Sequence, residues 1–244
     1  MIERHVLEQL ASFDTALLAN TIGYIDDTPA AELYVSAAIK CVTPSLPPSV
    51  GIAFTCELDS STPGNVADVD RYWEQMEEMS KCSLPIVWVV KAVGSRPEHE
   101  CVLGDGMAKT LHSVGCGALV SDGYVRDVQG LLQVPFAAYC RGRAIHHCAL
   151  RFTAVNRPVE IGGLMIRPGD VIHANEEGVI RIPQSCLLSL NEGATRMRAF
   201  EQEAHRMLVR TDLSLSQKRD AVQDLIAEYG FADCVAGKTT RSNS

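Results

Sequence analysis

The amino-acid sequence predicts an α/β fold with a central sheet and helices at both chain ends. The clearest element is a buried strand over residues 84–90, whose core PIVWVV is continuously apolar. Residues 104–127 then combine the apolar spacing of a helix with a short apolar run that is typical of a second buried strand. Amphipathic helical patterns over residues 3–13 and 184–210 place helices near the two ends. Alternation of helical and strand patterns is typical of α/β proteins.

The elements before the buried strand each have their own sequence signal. One face of the first helix carries the apolar residues Val6, Leu7, Leu10 and Phe13. Asp14-Thr15 is a helix start signal and Gly23 is a stop signal, so a second helix is expected over residues 16–22. The remaining patterns predict strands over residues 37–42 and 51–58 and an acid-rich helix over residues 66–80.

Strands and turns dominate the chain after residue 127. Gly162-Gly163 is a favoured two-residue turn, so residues 159–161 and 164–166 are expected to pair as a hairpin. The other predicted elements are a helix over 128–132, strands over 135–140, 171–173 and 179–182, and a last helix over 216–229. The terminal residues GKTTRSNS are expected to fray. We expect one domain over residues 1–210 and a C-terminal helical appendage with a tail over residues 211–244.

Composition limits the classes of function. The formal net charge of -8 argues against nucleic-acid binding through a basic face. The nine cysteines include no CxxC pair, so a zinc ribbon is not expected, and their odd number predicts buried free thiols in a reducing compartment. No stretch reaches the about 20 apolar residues of a membrane span, and the N-terminus lacks a signal peptide. We therefore expect a cytoplasmic protein without a membrane partner.

Three charged residues in the stretch GDGMAKTLHSVGCGALVSDGYVRD are candidates for a site. Asp105 is expected at a helix N-terminus, and Arg126-Asp127 just after the following strand. The side chains would then converge at one edge of a sheet, where open α/β folds place their sites. Each residue also has a structural explanation, because Asp105 could cap its helix and Arg126-Asp127 could be a solvated pair.

The spacing of Asp105 and Arg126-Asp127 resembles the D-X20-R-D motif of the class II pyruvate aldolases. These are the 4-hydroxy-4-methyl-2-oxoglutarate/4-carboxy-4-hydroxy-2-oxoadipate aldolases of the RraA-like superfamily, which also contains regulators of ribonuclease E activity. Four later segments also look like parts of the superfamily's signature: Asn156-Arg157-Pro158-Val159, Gly162-Gly163, Arg167-Pro168-Gly169-Asp170 and Glu177-Gly178-Val179. The resemblance covers about residues 10–210. It implies a layered β-β-α, swivelling-domain-like arrangement with a central mixed sheet.

The resemblance also implies a metal-dependent reaction. Asp127 matches the direct ligand of a divalent ion, most simply Mg²⁺ with Mn²⁺ as an alternative, and Asp105 matches the residue that holds metal-bound waters. Arg126 matches the arginine that stabilises charge on the keto oxygen as a C–C bond breaks. Backbone N–H groups around Gly104, Gly106 and Met107 suit the substrate carboxylate. Oxaloacetate decarboxylation is an expected second activity, because it passes through the same pyruvate enolate.

The assisting base and the oligomer follow from the same resemblance. A glutamate from the C-terminal region of a neighbouring subunit corresponds to Glu201, with Glu203 as the alternative, so we expect a homotrimer or homohexamer. Asn20 stands where the family usually has an aspartate, which removes one carboxylate near the site.

Other interpretations remain open at this point. The chain could be a non-catalytic protein-interaction regulator, or an enzyme of a specialised pathway that uses another enolate reaction. Lys109 is expected to be a solvated surface lysine rather than a Schiff-base lysine. Adjacent strand residues point to opposite faces, so His146 and His147 are expected to steer anions rather than chelate a metal together.

Overall fold

A computed structural model describes residues 2–232 of the chain as seven α-helices and twelve strands. The helices are α1 (Arg4–Leu10), α2 (Thr15–Ile25), α3 (Asp70–Ser80), α4 (Asp105–Ser113), α5 (Val128–Gln133), α6 (Leu187–Leu208) and α7 (Leu215–Glu228). The strands are β1 (Lys40–Cys41), β2 (Ser49–Asp59), β3 (Ile86–Ala92), β4 (Cys101–Leu103), β5 (Cys116–Ser121), β6 (Tyr124–Val125), β7 (Ala137–Cys140), β8 (Arg151–Thr153), β9 (Val159–Ile161), β10 (Leu164–Ile166), β11 (Val171–Asn175) and β12 (Gly178–Ile182). Two compact units form: residues 2–15 with residues 29–184, and Ala16–Thr28 with residues 185–232.

A mixed eight-stranded sheet forms the centre of the first unit. Its order is β1-β7-β5-β3-β2-β11-β12, and β8 pairs with β2. The pairs β2/β3, β3/β5 and β5/β7 are parallel, whereas β1/β7, β2/β8, β2/β11 and β11/β12 are antiparallel. The predicted α/β class with a central mixed sheet is therefore confirmed.

The buried strand β3 shows why the sheet is layered. Trp88 and the residues two positions before and after it in β3 pack in one cluster with buried residues of α3, α4 and α5. Val87 and Val89 belong to the opposite cluster, which contains the apolar residues of the hairpin β9–β10. Because successive side chains of a strand point to opposite faces, a continuous apolar run requires cover on both sides. Helices cover one face and the hairpin covers the other, as the expected β-β-α layering requires.

The hairpin turn follows the sequence prediction. Gly162 and Gly163 have φ values of 54° and 83°, and the strands pair with Leu164 opposite Ile161. Two consecutive positive φ values are the requirement of a type I′ turn, which glycine meets without steric cost. The Gly-Gly pair thereby fixes the register that buries Ile161, Leu164 and Ile166.

Two predicted helix limits are wrong. Gly23 does not end the second helix, because α2 continues to Ile25. An added Cβ at Gly193 of α6 would lie 3.0 Å from Thr21 and 3.5 Å from Ile25, both in α2. The close packing of α2 against α6 therefore continues past Gly23. This tertiary packing offsets the cost of about 1 kcal/mol for glycine inside a helix. The acid-rich helix begins only at Asp70, after a loop over residues 60–69.

The second unit is helical. Phe231 packs with the rings of Tyr24 and Phe200, and Ser214 forms a reciprocal capping box with Gln217 at the start of α7. A domain boundary at residue 210 stays a prediction; it falls in the loop between α6 and α7. The predicted frayed tail lies outside the described residues.

The cysteines agree with the expectation of free thiols as far as the chain is described. The eight cysteines among residues 2–232 are free thiols, five of them buried and three partly buried. Burial raises the pKa of the Cys116 thiol to about 12, so this group is inert as a nucleophile at neutral pH. Within the same residues, no helix has both the length and the apolar character that crossing a membrane requires.

A buried histidine connects the N-terminal segment to β11 and makes stability depend on pH. The ring of His173 lies 3.0 Å from Thr15 Oγ1 through Nδ1 and 3.2 Å from Leu10 O through Nε2. Because a carbonyl only accepts, Nε2 donates and Nδ1 accepts from the hydroxyl. Burial lowers the pKa of His173 from 6.5 to about 4, although nearby Asp14 acts in the opposite direction.

We predict that this histidine destabilises the fold in acid. The unfolded chain binds the proton below pH 6.5 and the folded chain only near pH 4, so stability is complete above pH 6.5 and falls as pH decreases through this window. The expected loss is about 3 kcal/mol in the free energy of unfolding. Urea unfolding at pH 7 and pH 4 should show a smaller loss for His173→Gln than for wild type, whereas the exposed His112→Gln should match wild type. Equal losses in all three proteins would contradict the prediction.

Candidate functional site

Two short parallel strands bring the candidate residues together. β4 pairs with β6, with Cys101 opposite Tyr124 and Leu103 opposite Val125. The N–H of Arg126 then donates to the carbonyl of Leu103 at 3.0 Å. The chain therefore leaves the two strand ends side by side, with Gly104-Asp105 on one and Arg126-Asp127 on the other. The structure thus brings these positions together at this small sheet and not at the central one.

The first carboxylate lies at the beginning of α4. Gly104 is the N-cap in extended conformation, and Asp105 is the first helical residue. Asp105 Oδ2 lies 2.6 Å from the Lys109 ammonium. This hydrogen bond is the main reason that the pKa of Asp105 is lowered. Asp105 is thus the first helical residue and not the N-cap, and a hydrogen bond from the N–H of Gly106 also lowers its pKa.

Lys109 is exposed on the surface, as the sequence predicts, and it also has a partner there. Its position four residues after Asp105 places both side chains on the same face of α4, where they form an ion pair. The i, i+4 spacing was a signal for this pair in the sequence. Lys91, the other lysine near the motif, pairs with Asp122 at 2.5 Å. Both lysines are thus held by carboxylates.

The second carboxylate lies in a conformation that is uncommon for residues other than glycine. Asp127 has φ 55° and ψ 38° at the start of α5, and its Oδ2 lies 3.3 Å from Nε of Arg126. Asp and Asn tolerate this left-handed region better than other side chains. Backbone strain of this kind clusters at functional sites. Asp127 is half-exposed, so its carboxylate is open to solvent and ligands.

Two glycines make room for these side chains. An added Cβ at Gly104 would lie 2.9 Å from Nε of Arg126 and 3.2 Å from Oδ2 of Asp127. An added Cβ at Gly130 of α5 would lie 2.5 Å from Cβ and 2.8 Å from Oδ2 of Asp105. The sequence predicts Gly104 as part of the site but carries no signal for Gly130, whose role depends on the contact between α4 and α5. Gly130 therefore sets the position of Asp105.

A cavity of about 280 Å³ opens beside the motif. Its lining includes Gly104, Asp105, Gly106, Met107 and Arg126. One cavity is thus lined by every residue of this unit that was predicted to act in catalysis or substrate binding. The predicted metal ligand Asp127 is not among its lining residues. Arg126 is its cation, and the first residues of α4 contribute backbone N–H groups that lack intrahelical partners. Such a site suits an anionic group of a small molecule.

His146 and His147 line the same cavity. The strand argument for this pair is wrong, because residues 144–150 are irregular. Main-chain bonds between Val125 and both Gly142 and Ala144 hold the beginning of this segment beside β6.

The donor set for a metal consists of carboxylates. Within residues 2–232, no group of three or more His, Cys, Asp or Glu side chains is placed to hold a metal ion. Zinc sites usually need three or four protein ligands. Mg²⁺ commonly keeps several waters and needs one or two carboxylates, as Asp127 and Asp105 could provide. The residues present therefore fit a hard, hydrated cation.

The predicted base Glu201 belongs to the second unit. Its Oε1 accepts a hydrogen bond from Nδ2 of Asn20 at 3.0 Å. An aspartate at position 20 would instead place a second negative charge beside Glu201, so Asn20 forms a favourable pair with it. Glu203, the alternative base, accepts a hydrogen bond from Tyr229, which raises the pKa of this tyrosine.

A family profile matches more than half of the chain. The profile of the family described as RraA-like, Aldolase/RraA, matches residues 25–181. A protein of Halalkalibacterium halodurans, named provisionally as a 4-hydroxy-4-methyl-2-oxoglutarate aldolase, is 34% identical over 106 residues. These residues cover 42% of this chain and 48% of that protein, so the match spans about half of the relative's length.

Solved structures show the same fold. An uncharacterized protein from Pseudomonas syringae pv. tomato matches with a TM-score of 0.65 at 23% identity, over 89% of this chain and 98% of that one. Streptomyces coelicolor RraAS2, described as an unusual member of the RNase ES inhibitor RraA protein family, matches with a TM-score of 0.65 at 20% identity. This match covers 84% of this chain and 97% of that one.

Proposed function

Because this chain belongs to the RraA-like family, Aldolase/RraA, we propose that it is a lyase of the class II pyruvate aldolase type. Its substrate would be a 4-hydroxy-2-keto dicarboxylic acid, from which it releases pyruvate in the presence of a divalent metal ion. The observation that carries this proposal is the pairing of β4 with β6, which places Asp105, Arg126 and Asp127 at adjacent strand ends. The name of the Halalkalibacterium halodurans relative supports the same substrate class.

The cavity binds the keto acid end of the substrate in this proposal. An anion in this cavity would meet the full positive charge of Arg126. It would also meet the partial positive charges of the first N–H groups of α4, around Gly106 and Met107. Cleavage breaks the C3–C4 bond after a base takes the proton of the C4 hydroxyl. The bonding electrons move to the keto oxygen to form an enolate, which is then protonated at C3. Arg126 stabilises the negative charge that develops on this oxygen.

Asp127 and Asp105 would hold the metal ion. When bound, a divalent ion supplies Lewis acidity toward the keto acid and lowers the pKa of bound water. The ion pairs with Arg126 and Lys109 place a cation beside each of the two carboxylates. Asp127 would be the direct ligand, and Asp105 would act through water. Mg²⁺ is the ion that this donor set favours, with Mn²⁺ as the alternative.

Glu201 is the proposed base for the C4 hydroxyl, through a water molecule. Its hydrogen bond with Asn20 fixes one carboxylate oxygen and leaves the second for proton transfer. The site would then combine residues of neighbouring subunits in a homotrimer or homohexamer. Glu203 is the alternative base, and its carboxylate likewise accepts one hydrogen bond, from Tyr229. Oxaloacetate decarboxylation would follow from the same residues, since its product is the same enolate.

Pyruvate release from two substrates tests the proposal. Purified protein is incubated with 4-hydroxy-4-methyl-2-oxoglutarate or oxaloacetate, with Mg²⁺ or with excess EDTA, and pyruvate is measured with lactate dehydrogenase. We expect release with Mg²⁺ and its loss with EDTA, restored by added Mg²⁺. EDTA-insensitive release would refute the metal-dependent route. No release from either substrate would refute the lyase and favour a protein-interaction regulator.

Gly130→Ala is expected to reduce pyruvate release by about 10- to 100-fold. The new methyl group would overlap Asp105 and displace its carboxylate, and misplacement of about 1 Å can cost 100-fold in rate. Alanine is also the better helix former, by about 1 kcal/mol, so the helix itself is not weakened. Gly117→Ala is the control, because its new methyl group would meet no atom within 4 Å. Steady-state rates and melting temperatures of both variants check the prediction, and full activity of Gly130→Ala would contradict it.

A further inference from the structure

The cavity beside the motif has a second polar wall that the proposed reaction does not use. Asp105 and Arg126 are polar lining residues of this cavity, and His146 and His147, here called the histidine wall, line it as well. The volume of about 280 Å³ is at the lower end of ligand pockets, which suits a single small organic acid. A molecule that occupies this cavity would therefore contact both pairs of residues.

The histidine wall is held at both ends by main-chain bonds. Before it, Ala144 N–H donates to Val125 O at 3.0 Å. After it, the carbonyl of Leu150 accepts from Asp68 N–H at 2.9 Å, and the Cys148 thiol contacts the carbonyl of Ser60. The irregular segment that carries the histidines is thus fixed to two other parts of the same unit.

Contacts with a neighbouring loop hold one of the two rings in place. The ring of His146 lies edge-on to that of His99, with centroids 5.5 Å apart. His99 Nε2 lies 3.0 Å from a guanidinium nitrogen of Arg96. Since a guanidinium only donates, this nitrogen of His99 is the acceptor. His146 therefore has a defined ring position, supported by a second histidine and an arginine.

The histidine wall has hydrogen-bond donors available for a ligand. Among the described residues, neither His146 nor His147 makes a hydrogen bond or an ion pair with the protein, and His146 is only partly exposed. An imidazole has at least one N–H donor in either protonation state. Asp105 and Asp127 already have cationic partners in Lys109 and Arg126. An incoming anion thus finds donors both at Arg126 and on the histidine wall.

We propose that His146 and His147 bind the distal carboxylate of a dicarboxylic keto acid. The keto acid end lies against Arg126 and the start of α4, and the second carboxylate reaches the histidine wall. This inference rests on the proposed function and adds a determinant of specificity: the two histidines select diacids over keto monoacids of similar length. They act in binding and take no part in proton transfer.

Binding of two non-cleavable ligands tests this specificity directly. Calorimetry with Mg²⁺ compares 2-oxoglutarate, which has a distal carboxylate, with 2-oxobutanoate, which lacks it. The variants are His146→Phe, His147→Phe and the double variant, because phenylalanine keeps a planar ring and removes the donors. The matched control is His112→Phe, an exposed histidine of α4 that does not line the cavity.

The expected result is a selective loss. The double variant should bind 2-oxoglutarate about 10- to 100-fold more weakly, as expected for lost hydrogen bonds to a charged group, and should bind 2-oxobutanoate like wild type. Equal effects on both ligands, or unchanged affinity for the diacid, would overturn the inference and leave the lyase proposal intact. If wild-type protein binds neither ligand and releases no pyruvate, the proposed function fails, and the inference fails with it.

Discussion

Asp127→Asn is expected to reduce metal-dependent pyruvate release by at least about 1,000-fold. A bound divalent ion supplies several kcal/mol of transition-state stabilisation, and each 1.36 kcal/mol corresponds to a factor of ten in rate. Asparagine removes the negative charge of the proposed direct ligand while keeping the shape of the side chain. Asparagine also tolerates the left-handed conformation that this position requires, with φ 55°. The loss should therefore be chemical, with little change in folding.

Two measurements separate lost metal binding from lost structure in this variant. Binding of Mn²⁺, followed by electron paramagnetic resonance, should weaken markedly in Asp127→Asn, and the thermal unfolding temperature without metal should match wild type. Asp212→Asn is the control, because Asp212 is an exposed carboxylate that pairs with Arg210 on the other unit. Wild-type Mn²⁺ affinity in Asp127→Asn would remove this residue from the metal site.

The layered fold was largely predictable because its signals are local. The alternation of Val87, Trp88 and Val89 within one apolar run requires cover on both faces of β3, whatever lies elsewhere in the chain. Gly162-Gly163 likewise fixes its turn through backbone sterics alone. Gly23 misled the prediction, since close packing between α2 and α6 continues the helix past it.

The candidate site was predictable in its residues and not in its geometry. β4 and β6 have three and two residues, too few for any periodicity to appear, yet their pairing explains why Asp105 and Arg126 meet. The approach of Gly130 to Asp105 depends on two helices that pack side by side. The hydrogen bond between Asn20 and Glu201 joins residues 181 positions apart, so only the folded chain reveals it.

Arg126→Lys is expected to lower kcat by about 100- to 1,000-fold, the range found when one donor to a developing oxyanion is removed. Lysine keeps the positive charge but loses the planar fork of donors, and it cannot place nitrogen atoms at the same positions. The main chain should be unaffected, because the bond that holds this position beside β4 comes from the N–H of residue 126.

The division of the effect between kcat and KM identifies what Arg126 does. A loss confined to kcat would mean that the guanidinium contacts the keto oxygen mainly in the transition state, whereas a rise in KM at unchanged kcat would mean that it only binds the substrate carboxylate. Arg71→Lys, an exposed change on α3, controls for the substitution itself. Wild-type kinetics in Arg126→Lys would show that charge alone suffices at this position, and the close approach of Gly104 to Nε would then need another explanation.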